Sequence, residues 1–293
     1  DGEDYSDLIE EYRRRGLHIQ FLVQEKNGGP GLARQRGLDA SDRYDYVIFL
    51  DSDDMLMPRA IDRLYTAAKR LNADMLASSV IAEKDGKEDS VMDVESTPVT
   101  WFHGKIYRTQ YLRDLNLRFP ENLRINEDSY FNLVAWNSTP RNGRLHEITY
   151  IWRNNKNSLT RHQGQLKFFA DTYPTYIQAQ VMGIKKLCQV NETLHPELAA
   201  RILVYNYHYM MFAYHIDAVT EECEEMYKEL RRLIKIKEAA QDTEFWKVIV
   251  NEVKSCNLDE KEEEVFFFKM PFAQWFQEYI IKVKKMYLDI TIS

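Results

Sequence analysis

Tyr46-Val47-Ile48-Phe49-Leu50-Asp51-Ser52-Asp53-Asp54 is the stretch whose reading decides the fold. Its leading apolar run is too short for an isolated helix. It suits a strand buried on both faces, as in a parallel sheet covered by helices. Three carboxylates follow, and Pro58 then opens the helical pattern Ala60, Ile61, Leu64, Ala67, Ala68, Leu71. Open α/β sheets bind ligands just beyond the carboxyl ends of their strands. Carboxylates crowded there repel one another, so a cation is their natural partner, and hard oxygen ligands favour Mg²⁺ or Mn²⁺. The plainer alternative is an Asp-rich turn that caps the next helix.

Working backward, residues 6–15 read as a helix capped by Ser6 and stopped by Gly16, and residues 18–23 as a short strand. The turn Asn27-Gly28-Gly29-Pro30 leads into helical spacing over residues 31–41. Working forward, residues 74–83 read as a strand. Asp85-Gly86 is a hairpin signal, and residues 88–95 return antiparallel. Strands alternating with helices predict a doubly wound α/β layer. From Thr100 the texture changes to the aromatic, mixed run Trp101-Phe102-His103-Gly104-Lys105-Ile106-Tyr107, followed by a short helix over 108–115. Asn126-Glu127-Asp128-Ser129 precedes Tyr130, Phe131, Leu133, Val134 and Trp136, a helix whose acidic first turn suits the positive end of the helix dipole. Residues 145–152 read as a further strand, followed by a polar run to 165.

Beyond that point helical patterns dominate, over 168–190, 196–217, 221–240 and 243–253. Residues 266–290 mix Phe, Trp, Tyr and Ile with Lys282, Lys284 and Lys285. This is either a core-packing terminal helix or an amphipathic helix on a membrane surface. The reading therefore divides the chain into an α/β part, 1–165, and a helical part, 166–293.

Across 293 residues, 44 % hydrophobic and 29 % charged residues make an ordinary globular balance, with length enough for a substantial core. A net charge of −7 argues against broad electrostatic binding to nucleic acid. No apolar run is long enough for a transmembrane span, and no signal peptide is visible. Cys188, Cys223 and Cys256 are scattered, without metal-type pairing, and read as reduced, buried thiols of a cytoplasmic protein.

Four segments in this order and spacing resemble family 2 glycosyltransferases with the GT-A fold. They are Asn27-Gly28-Gly29-Pro30-Gly31-Leu32-Ala33-Arg34, the Tyr46 to Asp54 stretch with Pro58, Asn126-Glu127-Asp128, and residues 150–160. The likeness covers roughly residues 1–165. It implies a GT-A nucleotide-sugar-binding fold, a mixed, mostly parallel sheet with helices on both faces, followed by an all-α region. It also implies an inverting transfer from a nucleoside-diphosphate sugar, a UDP-sugar above all, assisted by Mn²⁺ or Mg²⁺.

By the same likeness Asp51-Ser52-Asp53 is similar to the family's DXD motif: Asp53 and Asp51 would ligate the metal, Asp51 would touch the ribose, and Asp54 would support them. Asp1, Asn27, Gly31, Arg34, Ser52 and Arg161 would meet the donor, since a guanidinium suits a base edge or a phosphate. Asp128 matches the catalytic base that takes the acceptor's proton, with Glu127 raising its basicity or holding the acceptor. His162 would be a further metal ligand. Trp101, His103 and Lys105 would form the wall between donor and acceptor, an aromatic face stacking on a sugar ring. The chain opens at what resembles the end of the family's Asp-Asp-Gly-Ser motif, Asp1-Gly2, so a leading βαβ unit of about 30 residues is expected ahead of it.

The acceptor stays open at this stage: a cell-surface polysaccharide, a lipid-linked glycan, a protein, or a modified base in phage DNA, which the acidic charge disfavours. A metal-dependent nucleotidyltransferase or phosphohydrolase would need further acidic ligands or a phosphate-cradling loop. A degenerate domain that binds or scaffolds, self-associating through its helical half, is the non-catalytic alternative.

Overall fold

The computed structural model describes residues 4–84, 87–95, 99–153, 165–191, 194–215, 218–235, 239 and 241–248. Its strands are β1 (Tyr46–Ile48), β2 (Met55–Leu56), β3 (Met75–Lys84), β4 (Lys87–Met92), β5 (Lys105–Arg108) and β6 (Asn142–Arg153). Its helices are α1 (Ser6–Arg14), α2 (Gly29–Asp39), α3 (Ala60–Arg70), α4 (Thr109–Asp114), α5 (Glu127–Asn137), α6 (Gln165–Val190), α7 (Pro196–His215) and α8 (Glu221–Leu233). Residues 243–248 are also helical.

The sheet runs β1-β5-β3-β6-β2, with β4 paired to β3. It is mixed, as expected, yet only the β3–β6 pairing is parallel among the described strands. The other pairings are antiparallel because β5 returns between β1 and β3, β4 closes a hairpin on β3, and β2 runs back along β6. The parallel strands β1, β3 and β6 therefore end toward one side, where the start of β5 also lies. The chain leaves β1 at one edge and enters β2 at the other after residues 49–54 alone. Fully extended, that connection reaches roughly 24 Å, while four strand spacings on a flat sheet need roughly 19 Å. Since Asp54 N donates to Asp51 O in a turn at 3.1 Å, the connection is far from extended. The sheet must curl, and the curl carries Asp51 to Asp54 over the strand ends.

Side chains alternate across the sheet and two helical layers cover it. Leu64, Ala67 and Ala68 of α3 pack with Leu76, Ile106, Tyr46 and Ile48 on one face. On the other, Met75 and Tyr107 meet Leu38 of α2, Tyr111 of α4 and Phe131 of α5. The same apolar cluster continues without a break through Ile177 and Ile184 of α6 to Leu203 of α7 and Leu230 of α8.

Several local expectations are corrected. Residues 18–23 form no strand: Phe21 and Val23 are exposed, and no ladder partner lies beside them among the described residues. Ser6 does not cap helix α1: Tyr5 is the N-cap, and Ser6 donates from N (2.9 Å) and Oγ (2.6 Å) to the Asp4 carboxylate. Strand β1 is half-buried rather than enclosed on both faces because it forms one edge of the described sheet. Strand β5 falls inside the aromatic run that the sequence left unassigned. The thiols of Cys188 and Cys223 are free, the latter buried. The hairpin tip at 85–86, the polar run 154–164 and the segment 266–290 lie outside the described residues.

Candidate active site

Three elements converge at the curled end of the sheet, beside the ends of β1 and β6 and the start of β5. Helix α2 supplies Arg34, the β1–β2 connection supplies Asp51 and Asp54, and the first turn of α5 supplies Glu127 and Asp128. Arg34 is the hub. Its guanidinium donates to Glu127 Oε1 at 2.5 Å and makes a second ion pair with Asp51. It also lies over the Phe102 ring, 4.7 Å from the centroid. That ring belongs to a packed aromatic set with Phe49, Phe119 and Phe131, so the guanidinium rests on a rigid floor. Burial opposes the charge on Arg34, but Asp51 and Glu127 outweigh it and raise the pKa, keeping the group cationic. Gly31 lets α2 approach: a Cβ there would meet Glu127 Cγ at 3.1 Å.

Asp128, next on α5, accepts from Ser129 N at 2.7 Å. Burial, then the neighbouring Glu127 charge, pushes its carboxyl up to about 7. Burial also pushes Glu127 upward, with Arg34 pulling it back. Lys105, 1 % exposed at the start of β5, is driven down to about 7 by burial, an effect that Asp128 partly offsets.

The third corner is aromatic. His103 is stacked on Tyr150 (5.0 Å) and on Trp152 (5.5 Å), with Trp101 edge-on at 5.3 Å. Tyr150 and Trp152 alternate on β6 and so share a face. Asp54 accepts from Tyr150 Oη at 2.6 Å and Arg153 N at 2.9 Å. Burial nevertheless pushes Asp54 up to about 6 and pushes the His103 imidazole down to about 4. His103 Nε2 stands 3.7 Å from Asp54 Oδ2, too far for a hydrogen bond. Ligand atoms of Asp51, Asp54 and His103 all lie within 4.8 Å of one another.

The geometry brings together Asp51, Arg34, Trp101, His103, Lys105, Glu127 and Asp128. Asp53 is half-buried beside them but outside the group of ligand atoms just described, and Ser52 is exposed. Asn27 accepts from Gly29 N at 3.0 Å, which shapes the entry to α2. Asp1, Arg161 and His162 lie outside the described residues. Sequence reasoning missed Tyr150, Trp152 and Phe102, and gave Asp54 only a supporting part. The i, i+2 aromatic pair on a strand was the available signal for Tyr150 and Trp152.

Residues 1–122 match the family model described as Glycosyl transferase family 2. That segment of the chain belongs to glycosyl transferase family 2. The family 2 domain so defined holds Arg34, Asp51, Asp54, His103 and Lys105, and Glu127 and Asp128 follow just after it. Over 174 residues the chain is 29 % identical to the uncharacterized glycosyltransferase EpsJ of Bacillus subtilis, covering 53 % of this chain and 50 % of that protein. Over 156 residues it is 28 % identical to the poly(ribitol-phosphate) beta-N-acetylglucosaminyltransferase TarS of Staphylococcus aureus, covering 50 % of this chain and 27 % of TarS. The matched segment thus spans half or less of these curated relatives. The crystal structure of S. aureus TarS 1-349 aligns at 19 % identity and a TM-score of 0.46, over 82 % of this chain and 80 % of that one. No helix of the described residues is long and apolar enough to cross a membrane.

Proposed function

We propose that this chain transfers a sugar, with inversion, from a nucleoside-diphosphate sugar to a hydroxyl of a glycan acceptor. The observation that carries the reading is the Arg34 bridge. One guanidinium holds the strand-end acid Asp51 and the helix-start acid Glu127, which supports a common site for the proposed donor and acceptor motifs. Membership of glycosyl transferase family 2 supports the reaction class. The names of EpsJ and TarS support a glycan-building role, and a UDP-sugar is the donor we assign.

The spacing of His103 and Asp54 suits a divalent cation. Two atoms each about 2.1 Å from one ion stand between roughly 3 Å (adjacent) and 4.2 Å (opposite) apart. The 3.7 Å from His103 Nε2 to Asp54 Oδ2 falls within that range. Two carboxylates and a neutral imidazole suit Mn²⁺. Asp51, Asp54 and His103 would hold the ion, with Asp53 and His162 as the further ligands assigned from the family. When bound, such an ion would act as a Lewis acid toward the departing diphosphate. Asp128 then takes the proton from the attacking hydroxyl. Its burial beside Glu127 brings its basicity close to neutral pH, where a general base is most effective. Arg34 fixes Glu127 and Asp51 before substrate arrives, so little reorganisation is needed during reaction.

Release of nucleoside diphosphate from a panel of nucleotide sugars, with and without Mn²⁺, tests this reading. Turnover of at least one donor, dependent on the metal, is expected; a chain inert toward every donor would refute it.

A further inference from the structure

Helices α6 and α7 present a run of stacked aromatic rings that the donor chemistry does not use. Tyr176 stacks on Tyr209 at 4.6 Å, Phe169 stacks on Tyr209 at 5.6 Å, and Tyr205 lies tilted against Tyr209 at 4.8 Å. The run is tied to the start of α5, because Asn126 Nδ2 donates to Thr172 O at 3.3 Å and to Thr175 Oγ1 at 3.1 Å. Asn126 stands two places before Asp128, so α6 is fastened close to the proposed base. Thr175 immediately precedes Tyr176 on α6, so the Asn126 contacts bring this part of the run against the start of α5.

An ordinary core stripe would bury these rings completely and spare their hydroxyls. Here Tyr205 is 44 % exposed, and its hydroxyl lies 3.2 Å from that of Tyr209. Tyr176 is 8 % exposed, and its hydroxyl has no hydrogen-bond partner among the described residues. An aromatic face rimmed by hydroxyls is apolar and polar at once, as is a sugar ring. The stack itself contains no Lys or Arg to meet a phosphate.

We propose that Tyr205 and Tyr209, backed by the buried Tyr176, form the acceptor subsite, stacking a cyclic pyranose of an uncharged glycan on the side of α5 that carries Asp128. This rests on the transferase reading of the cleft and adds the acceptor class to it. It also separates the chain from a poly(ribitol-phosphate) enzyme, whose acceptor is an acyclic, anionic polyol.

Saturation-transfer NMR on the full chain tests the assignment. The probes are cellotetraose, chitotetraose, maltotetraose, mannotetraose and ribitol 5-phosphate, with UDP as a separate donor-site probe. At least one pyranose oligomer is expected to receive saturation at its ring C–H protons, and ribitol 5-phosphate none. Tyr205→Ala, checked for folding by circular dichroism, should weaken that binding about fivefold, the worth of one lost stacking contact, while Tyr205→Phe retains most of it. If UDP binds but no pyranose oligomer does, the acceptor assignment is overturned and the transferase reading stands. Pyranose binding indifferent to Tyr205→Ala, or stronger binding of ribitol 5-phosphate, overturns it equally. Failure of UDP itself to bind removes the transferase reading and the subsite with it.

Discussion

Asp128 is the residue on which the proposed chemistry turns, because its buried place beside Glu127 suits a carboxylate to act as a base near neutrality. Burial and the Glu127 charge raise its pKa to about 7, so the reactive, ionised form accumulates as pH rises through that value. We expect kcat/KM to climb with pH on a limb centred near 7, and the limb to vanish in Asp128→Asn. A profile flat from pH 5 to 9 in the wild type would contradict the base assignment. At the metal corner the sign is the same. Asp54, raised to about 6, is protonated below that pH and loses its capacity as a ligand. Mn²⁺ quenching of Trp101 and Trp152, whose rings lie 5.3 and 5.5 Å from His103, should weaken as pH falls through 6. It should weaken by about tenfold or more in His103→Ala and Asp54→Asn. If only Asp53→Ala weakened it, the ion would belong to Asp53 and not to the His103 corner.

At the scale of elements, the site is held by close approaches that a sequence pattern does not display. Gly104 sits between His103 and Lys105 with φ of 63°, and a Cβ there would lie 2.5 Å from Ser78 Oγ and 3.2 Å from the Ser78 carbonyl oxygen. Its own carbonyl accepts from Ser78 N and Ser78 Oγ, both at 2.9 Å. Gly104→Ala should therefore cost about 1–3 kcal/mol of stability, measured by denaturant unfolding, and should displace the His103 and Lys105 side chains together. A neutral effect would mean that this junction is loose. Much of the arrangement was nevertheless legible: Asp51, Arg34, Glu127 and Asp128 come from motifs whose order along the chain implied a common cleft. The convergence of His103 with Asp54 was not legible, because it arises from β5 inserting between β1 and β3. A four-residue strand, Lys105–Arg108, inside a mixed aromatic run has no periodicity strong enough to reveal that insertion. The supposed strand at 18–23 failed for another reason: pairing is decided by a partner elsewhere, and none lies beside it among the described residues.

For the whole molecule, one apolar cluster runs from the sheet face through Phe131 into α6, α7 and α8. Cutting that continuity should be felt throughout. Phe131, fully buried and stacked 4.4 Å from Phe119, should cost about 3–5 kcal/mol when changed to Ala. Thermal unfolding should shift as one transition, and two separated transitions would argue against a shared core. The same continuity packs α6 and α7 against α5, an arrangement that the proposed acceptor subsite requires.

The account stands or falls on whether donor-site and acceptor-site acids act in one cleft on one reaction, and turnover of a UDP-sugar by wild type and Asp128→Asn at saturating donor and Mn²⁺ measures this directly. The prediction is metal-dependent turnover in the wild type and a loss of about 100-fold or more in the variant, with UDP still bound. Equal turnover in both proteins, or loss of UDP binding in parallel with turnover, would contradict it.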